Sequence, residues 1–346
     1  MGHEVLIGYS FWGFLGHGIT DTPDGGRSHR RILIDGLTDR GHTIIFLQAN
    51  RDLAEADEDL TQAYRWDTGT PEVDVLFLEY RWPITGRNTT ACGTPGHTCD
   101  RHRQQQLLDH YTAAGVPTVV WDKDRQMREA DPLRYAHGVT VCEAALYPTP
   151  GASTLLFPVH DSVLDAADAA ALTAGVRDMP LVYVGNQYDR DDAFAHYLAP
   201  AAGTVRHIVA GKWTRNDRWP DVSFTGRIPF PQVEELYHRA LATVLLLPER
   251  YASAGQMTQR LFESVLNGCL PLTPMTIRDA NRFTSPELHV HDGADVAARL
   301  DALARHAGTA RHAELLDGCL RRLDIFRLSR QLDRLDDILA VRTGAG

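Results

Sequence analysis

The sequence lacks any apolar run that approaches the ~20 residues a helix needs to span a bilayer. Its first residues also lack the charged segment and the longer apolar stretch of a secretory signal, and they resemble the start of a β-strand instead. From these two absences we expect a cytoplasmic protein with no membrane partner.

Cysteine is scarce as well, with five residues in a chain of 346. A few scattered cysteines, odd in number, are typical of a reducing compartment and not of a disulfide framework. The chain also has no excess of basic residues. It contains 45 acidic residues and 35 lysines and arginines, which give a formal net charge of −10. This balance opposes nonspecific binding of nucleic acid, so a ligand with phosphates would need cations placed locally.

What the chain does contain is an alternation of short apolar runs with amphipathic stretches. Helices are predicted over Ser28–Arg40, Arg103–Ala114, Pro231–Arg239 and Thr258–Asn267. Strands that alternate with helices in this way predict parallel sheets covered on both faces. The predicted strands are Val5–Gly8, Ile44–Leu47, Val73–Leu78, Thr118–Trp121, Val139–Val141, Thr154–Phe157, Leu181–Val184, Val205–Val209, Val222–Thr225, Thr243–Leu247 and Leu270–Leu272.

The alternation pauses at Pro158–Pro180, a stretch rich in alanine and aspartate without a predicted strand. We place a domain boundary in this pause and predict an α/β protein with two Rossmann-like domains that face each other across a cleft. The predicted domains cover residues 1–165 and 166–325. The segment from Ala294 to Val341 is predicted to be helical. Residues 326–346 are predicted to form a helix that packs back on the first domain.

Paired glycines precede the first predicted helix. Gly25 and Gly26 would let backbone N–H groups approach a ligand closely, and the helix N-terminus that follows favours an anion. A flexible loop that leads into a helix explains the same pair equally well. Both residues are candidates for ligand binding.

Two neighbouring strands of the second half are followed by a cation. Arg190 follows the strand Leu181–Val184, with Gly185 and Tyr188 between the strand and the arginine. Lys212 follows the strand Val205–Val209. Arginine can bind a diphosphate through two parallel hydrogen bonds. Each side chain taken alone could be solvated surface charge, but two cations at matching strand ends favour an anion site.

The segment from Gly255 to Leu272 combines a helix start, a helix end and a strand. Thr258 suits the N-cap of the helix, and Gly268 suits its end. Glu263 lies on a different helical face from the apolar residues, and its carboxylate could accept two hydrogen bonds from a ribose diol. Local pairing with Arg260, three residues earlier, is the alternative for this carboxylate.

These residues resemble a known motif. Arg260, Leu261, Phe262 and Glu263, followed by Gly268, are similar to the donor-binding motif of GT-B glycosyltransferases of the retaining family 4 type, in particular its CgeB-like branch with an Arg-x-Phe-Glu core. Shorter similarities precede the motif in the expected order. They are Gly185, Tyr188 and Arg190 in the second half, and Gly25, Gly26, Gly41 and His42 in the first.

The resemblance implies a GT-B fold with an acceptor domain over residues 1–165 and a donor domain over residues 166–325. It implies that Glu263 binds the nucleotide ribose. It further implies that the diphosphate is held by Arg190, by Lys212 and by the backbone of Gln256, Met257 and Thr258. We expect Arg260 to help stabilise the negative charge of the leaving diphosphate, together with the same cations and the helix N-terminus.

The sequence departs from the family pattern at two positions. Gly255 stands where the family often has a glutamate, and Trp121 stands where many members have a histidine. Asp122 or Asp124 could orient an acceptor or stabilise positive charge at the sugar, and a solvated turn explains either carboxylate equally well. Asp122, Lys123 and Asp124 also resemble the Asp-x-Asp metal motif of the other glycosyltransferase fold, which GT-B enzymes generally do not use. We therefore expect no catalytic metal and no cofactor besides the donor substrate.

Cysteines and histidines cluster in a loop rich in glycine, proline and threonine. Cys92, His97, Cys99 and His102 are residue types that suit zinc, but their spacing matches no common zinc finger. We favour a loop that shapes the acceptor site over a structural zinc site. The candidate acceptor contacts are Arg81, Arg87, His97 and Arg101.

The sequence thus predicts a retaining glycosyltransferase that moves a hexose-type sugar from a UDP-sugar to a small-molecule acceptor. Relatives of this general kind include cytosylglucuronic acid synthases of antibiotic biosynthesis, so a nucleobase or nucleoside is the suggested acceptor. The alternatives are glycosylation of a base in DNA, epimerisation of the UDP-sugar, and non-catalytic binding of a nucleotide-sugar.

Overall fold

The computed structural model describes residues 4–16 and 27–343 of the chain. These residues form two compact units, the first made of residues 4–16, 27–158 and 328–343 and the second of residues 159–327. The first unit therefore ends at Pro158, before the predicted limit at residue 165. The reason is that Val159 already pairs with the end of the second unit, since its N–H donates to the Phe326 carbonyl at 2.8 Å and its backbone bridges to Arg327.

Among the described residues of the first unit, seven short strands form one sheet. They are β1 Leu6–Ser10, β2 Thr43–Phe46, β3 Arg65–Trp66, β4 Val75–Glu79, β5 Thr118–Asp122, β6 Val139–Glu143 and β7 Ala152–Thr154. The neighbouring strands are parallel, in the order β3–β2–β1–β4–β5–β6–β7. Strand β4 is buried at all five positions, as expected of a strand that is covered on both faces.

Among the described residues, three α-helices connect strands of this sheet, and a fourth follows the second unit. They are α1 Arg27–Asp39, α2 Arg51–Ala56, α3 Asp100–Ala113 and, from the end of the chain, α13 Leu328–Thr343. In α1 the predicted apolar face is buried, with Leu33, Ile34 and Leu37 each inaccessible to solvent. Helix α13 belongs to the first unit and packs against α1. The two helices approach so closely at Gly36 that a side chain there would touch Leu328.

The second unit repeats the same architecture with six strands, all within described residues. They are β8 Met179–Val184, β9 His207–Ala210, β10 Phe224–Gly226, β11 Ala240–Val244, β12 Leu270–Pro274 and β13 His289–Val290. The neighbours are again parallel, in the order β10–β9–β8–β11–β12–β13. This is the strand order of a Rossmann-like fold, so the predicted α/β class with two parallel sheets is confirmed.

Nine further α-helices lie in residues 159–327, which the structure describes throughout. They are α4 Asp161–Ala166, α5 Ala169–Thr173, α6 Asp191–Ala193, α7 Ala199–Ala202, α8 Phe230–Arg239, α9 Glu249–Ala252, α10 Gln259–Leu266, α11 Gly293–Ala304 and α12 Ala310–Arg322. Helix α10 ends as predicted, because the Gly268 N–H donates to the Val265 carbonyl and the Cys269 N–H to the Ser264 carbonyl. Among the helices that the structure describes, none combines the length and the apolar character needed to cross a membrane.

Some predicted boundaries are wrong by two or three residues, and two short strands escape prediction. The apolar run Thr243–Leu247 predicts a strand, but β11 covers Ala240–Val244, and the apolar residues beyond it form a buried loop. Strands β3 and β13 have two residues each, which is too short for any periodicity to show in the sequence.

One buried histidine links the start of α12 to the end of α10. The Nδ1 atom of His312 accepts from the Gly308 N–H at 3.2 Å, and its Nε2 atom donates to the Gly268 carbonyl at 3.1 Å. A backbone N–H can only donate and a carbonyl can only accept, so these partners fix the neutral tautomer. Burial, with the nearby Arg177 charge, lowers the pKa of His312 to about 4.

We predict that His312 accounts for part of the loss of stability in acid. The unfolded chain takes up a proton on this histidine near pH 6.5, and the folded chain takes it up only near pH 4. The free energy of unfolding therefore decreases as the pH is lowered from 6.5 to 4. A His312→Gln variant should show a flatter dependence of melting temperature on pH in this window. The exposed His306→Gln is the control, and equal slopes in the two variants would contradict the prediction.

Candidate functional site

Two loops meet at the carboxyl edge of the second sheet, after β8 and β9. The Trp213 indole N–H donates to the Gly185 carbonyl at 2.8 Å, and the Lys212 N–H donates to the Asn186 side chain at 2.7 Å. Gly211 lies at φ +131° against the Gly185 carbonyl, where a side chain would collide. These bonds hold both backbones in place and leave the Lys212 side chain exposed at the strand end.

Arg260, from the first turn of α10, ties the neighbouring strand ends together. Its Nε atom donates to the Val184 carbonyl at 2.7 Å, and its Nη1 atom donates to the Leu246 carbonyl at 3.3 Å. The guanidinium carbon lies 4.6 Å from the centre of the Tyr183 ring, a cation–π distance. Arg260 is 7% exposed, so it acts first as a scaffold that joins β8, α10 and the loop after β11.

Gly185 is the residue that makes this arrangement possible. A β-carbon at this position would overlap the Arg260 Nη2 atom and would stand 2.9 Å from the Tyr183 hydroxyl. The guanidinium cannot move away without giving up its bonds to Val184 and Leu246. The glycine after β8 is therefore required by the close approach of an arginine.

Arg190 lies beside Arg260 and shares one of its acceptors. Its Nε atom donates to the Leu246 carbonyl at 3.3 Å, and its Nη1 atom donates to the Tyr188 carbonyl at 2.9 Å. Burial, and then the neighbouring Arg260 charge, lower the pKa of Arg190. Within the described part of the chain neither arginine forms a salt bridge, and neither Nη2 atom donates a hydrogen bond. Two adjacent guanidinium groups without a carboxylate favour a bound anion.

The remaining predicted donor residues lie around the start of α10. Thr258 is the N-cap, its side chain makes no capping bond, and the first turn contains no acidic residue. Gln256 and Met257 are buried, whereas Thr258 and Glu263 are half-buried and Tyr188 is exposed. A helix N-terminus without an internal acid leaves its positive end available to an external anion.

Gly25 and Gly26, the predicted ligand-binding pair of the first half, lie outside the described residues. Asp122 is described, and both of its oxygens are used within the protein. They accept from the N–H groups of Gln126 and Met127 at 3.0 and 2.7 Å, and the residue is 1% exposed. Burial raises the pKa of Asp122 to about 6, although the two backbone hydrogen bonds act to lower it. The Asp122 carboxylate thus holds the turn after β5, and Asp124 is the half-exposed candidate of the two.

The carboxyl edge of the first sheet is organised by a buried ion network that no sequence pattern indicates. Glu79, at the end of β4, binds Arg30 through both oxygens at 2.7 and 2.8 Å and Lys123 at 2.6 Å. The Tyr9 hydroxyl donates to the same carboxylate at 3.1 Å. Burial alone would raise the pKa of Glu79, but the Arg30 and Lys123 charges outweigh it and hold the pKa well below its usual range.

A cavity of about 240 Å³ opens beside this network. Its walls combine the aromatic rings of Phe11 and Trp12 with the polar side chains of Glu79, Arg81 and Gln104. The Trp12 ring is also surrounded by cations, because the guanidinium carbons of three arginines lie within 6 Å of it: Arg51 at 4.1 Å, Arg87 at 5.4 Å and Arg81 at 5.6 Å. Of the predicted acceptor contacts, the structure thus brings Arg81 and Arg87 to one aromatic ring.

The comparisons with known proteins agree with this architecture. Residues 190–322 match the family model described as glycosyl transferase-like, and no curated protein matches the chain. T4 phage β-glucosyltransferase in complex with UDP-glucose is 13% identical, with a TM-score of 0.66 over 96% of this chain and 98% of that chain. An α-glucosyltransferase in complex with UDP-glucose and DNA containing an abasic site is 10% identical, with a TM-score of 0.65 over 98% and 100%. AviGT4, a glycosyltransferase involved in avilamycin A biosynthesis, is 13% identical, with a TM-score of 0.60 over 99% of both chains.

At these identities the likeness establishes the fold, and the predicted GT-B fold is confirmed. The family match establishes a glycosyltransferase-like domain in the second unit, which confirms the predicted enzyme class at the level of the domain. The matched residues include Arg190, Lys212, Arg260 and Glu263, whereas strand β8 and Gly185 precede the matched range.

We predict that Gly185→Ala destabilises the protein by about 1–3 kcal/mol, since the new methyl group displaces the Arg260 guanidinium from its two carbonyl partners. Unfolding in urea measures the change. Gly203→Ala is the matched control, because Gly203 has an ordinary helical φ of −64° and the nearest atom to its added methyl would be 3.7 Å away. Equal stability of Gly185→Ala and the wild-type protein would show that Arg260 is not held as described.

Proposed function

We propose that this protein is a glycosyltransferase that binds a UDP-sugar through its second unit and transfers a hexose-type sugar to a small-molecule acceptor. The observation that carries the proposal is the pair Arg190 and Arg260, two neighbouring guanidinium groups that share the Leu246 carbonyl and have no carboxylate partner among the described residues. A diphosphate supplies the charge that this pair lacks.

The donor diphosphate is proposed to bind where three positive groups converge on the carboxyl edge of the second sheet. Arg190 offers its Nη2 atom, Lys212 offers an exposed ammonium after β9, and α10 offers its N-terminus at Thr258. The same groups would stabilise the negative charge that the leaving UDP gains as the bond to the sugar breaks. Arg260 supports this site through its contacts with the backbone.

Glu263 is proposed to accept hydrogen bonds from the ribose hydroxyls. It lies in the second turn of α10, it is half-buried, and it follows Thr258 on the same short helix. A ribose contact by an acidic residue close to a phosphate-binding helix start is a recurrent arrangement in nucleotide-binding α/β folds. The finer assignment to the CgeB-like branch rests on this motif and stays a prediction.

The transfer is proposed to need no catalytic metal and to retain the configuration of the anomeric carbon. Arginine, lysine and helix N–H groups therefore carry the neutralisation of the diphosphate in this proposal. Retention follows from the family resemblance of the Arg260–Glu263 motif.

Two substitutions should separate the diphosphate contact from the ribose contact. Lys212→Ala should lower the affinity for UDP about tenfold and the affinity for UMP much less, because it removes a cation from the diphosphate. Glu263→Gln should lower the affinity for UDP about tenfold and abolish the preference for UDP over 2′-deoxy-UDP, because it weakens the bonds to the diol. Isothermal titration calorimetry with the three nucleotides measures both effects.

Each substitution has a matched control in the same unit. Arg206 precedes β9 at its amino end, so Arg206→Ala removes a cation from the opposite edge of the sheet. Glu234→Gln neutralises an exposed carboxylate on α8. Both controls should bind UDP like the wild-type protein. Unchanged UDP binding by Glu263→Gln would remove the ribose contact from the proposal.

The acceptor is proposed to be a small planar molecule, such as a nucleobase or nucleoside, bound in the cavity beside Trp12. Phe11 and Trp12 offer aromatic faces, and Gln104 and Arg81 offer polar groups in its walls. The net charge of −10 opposes a polyanionic acceptor. A role in natural-product biosynthesis is supported by the structural likeness to AviGT4.

A base in DNA is the second candidate acceptor, and one observation favours it. Arg51, Arg81 and Arg87 surround Trp12 and form a local patch of positive charge that could contact phosphates. The likeness to an α-glucosyltransferase solved with DNA points the same way. We rank this candidate second, because Arg51 is already paired with Glu55 and Arg81 with Asp100.

We predict that Trp12→Leu lowers the efficiency of transfer to the acceptor about tenfold or more and leaves UDP affinity unchanged, because stacking on the indole is lost. The acceptor is found by incubating UDP-sugars with a library of nucleobases, nucleosides and aminoglycosides and detecting the product by mass spectrometry. Tyr135→Leu, which removes an exposed aromatic ring of the first unit, is the control. Retention of the protein on immobilised DNA at physiological salt, with no transfer to any small molecule, would favour DNA instead. UDP binding without any transfer or hydrolysis would favour a non-catalytic binder.

A further inference from the structure

The loop between β4 and α3 contains side chains of the kinds that bind zinc, and the structure brings four of them together. Residues 80–99 form this loop, and His102 lies in the first turn of α3. The ligand atoms of Cys92, His97, Cys99 and His102 all lie within 4.8 Å of one another. Their spacing along the sequence matches no common finger and favours an acceptor-shaping loop, but the folded chain supplies the proximity that the spacing does not suggest.

The distances within the group suit one tetrahedral ion. The Cys92 and Cys99 sulfurs are 3.9 Å apart, and the Cys92 sulfur is 3.0 Å from His102 Nδ1. A tetrahedral zinc with ordinary bond lengths separates two thiolate sulfurs by ~3.8 Å and a sulfur from an imidazole nitrogen by ~3.5 Å. Small side-chain rotations therefore bring all four atoms to bonding distance of one ion.

A second, independent observation comes from His97. Its Nδ1 atom is 3.0 Å from the Thr90 hydroxyl, whereas its Nε2 atom is buried without a hydrogen-bond partner among the described residues. A buried ring nitrogen without a partner is costly, and a metal ion would satisfy it. The Thr90 contact on the other nitrogen is the kind of outer contact that fixes the orientation of a ligating histidine.

Hydrogen bonds of the buried Asn88 hold the base of the loop, but the residues around Cys92 are exposed. Most residues of the loop are exposed, and it contains no helix or strand between Glu79 and Asp100, a stretch that the structure describes in full. One end is fixed by Asp100, whose carboxylate accepts from Arg81 at 3.2 Å and from the Thr98 hydroxyl at 2.7 Å. The turns around Cys92 bury little apolar surface, so hydrophobic contacts contribute little to the order of this part of the loop.

We infer that Cys92, His97, Cys99 and His102 form a structural zinc site that fixes loop 80–99 and the start of α3. Two thiolates and two imidazoles fill all four positions of a tetrahedral zinc, so no position remains open for a substrate or water, and the ion has a structural role. Cys99, Asp100 and Gln104 also line the cavity beside Trp12. The zinc site thereby shapes one wall of that cavity.

The metal content of the full-length protein tests the inference directly. Wild-type protein purified without chelators should contain one equivalent of zinc by inductively coupled plasma mass spectrometry, and Cys92→Ser, Cys99→Ser and His102→Ala should each contain a small fraction of it. His110→Ala is the matched control, because His110 is an exposed histidine farther along α3. The inference would be overturned if the wild-type protein contained no zinc, or if the zinc content were unchanged in all three variants.

Cobalt gives a measurement that does not depend on the variants folding. Wild-type protein loaded with cobalt(II) in place of zinc should show the visible bands of a tetrahedral ion and the near-ultraviolet charge-transfer band of cobalt bound to thiolate. All five thiols should titrate in the denatured, zinc-free protein. A Cys92–Cys99 disulfide with no cobalt spectrum would contradict the inference.

The proposed role in ordering the loop has its own readout. Removal of zinc by a strong chelator should increase tryptic cleavage after Arg87 about tenfold or more, because the loop then opens more often, and added zinc should reverse the effect. Cleavage after Arg206, an exposed arginine of the second unit, should not change. A loop that is equally resistant with and without zinc would show that the ion, where bound, does not fix it.

Discussion

The second unit depends on the bonds that the buried Arg260 side chain makes to backbone carbonyls. By donating to Val184 and to Leu246, it joins the end of β8 and the loop after β11 to the start of helix α10. The glycine at position 185 follows from it, since no other residue leaves room for the guanidinium. A positive charge is thus built into the carboxyl edge of the sheet by the same contacts that hold the edge together.

The two units use buried arginine in opposite ways. In the first unit the arginine is paired with a carboxylate, and in the second unit it is not. In the first unit, Arg30 is neutralised by Glu79, which also binds Lys123. In the second unit, Arg190 and Arg260 lie together with no described carboxylate to neutralise them. The Glu79 network satisfies itself and positions its surroundings, whereas the arginine pair retains donor groups and charge for an external anion.

Local patterns are predictable from the sequence, and contacts between distant residues are not. The helix that contains Glu263 can be located because its cap, its apolar face and its terminal glycine all lie between residues 258 and 268. The Arg30–Glu79 pair joins residues 49 positions apart, and no local periodicity reports such a contact. Asp122 shows the same limit at short range, because its sequence neighbours do not reveal that both carboxylate oxygens are used within the turn.

The net charge of −10 and a diphosphate ligand are compatible because the relevant field is local. At physiological ionic strength, charges more than about 8 Å apart are largely screened in solvent, so exposed acidic residues elsewhere have little effect on a partly buried site. Many arginines outside the sites are already paired, as Arg311 is with Glu287 and Glu314. Arg190, Lys212 and Arg260 have no carboxylate partner in the described chain, so the proposed diphosphate site keeps a local positive field. The acidic remainder of the surface opposes the binding of long polyanions elsewhere.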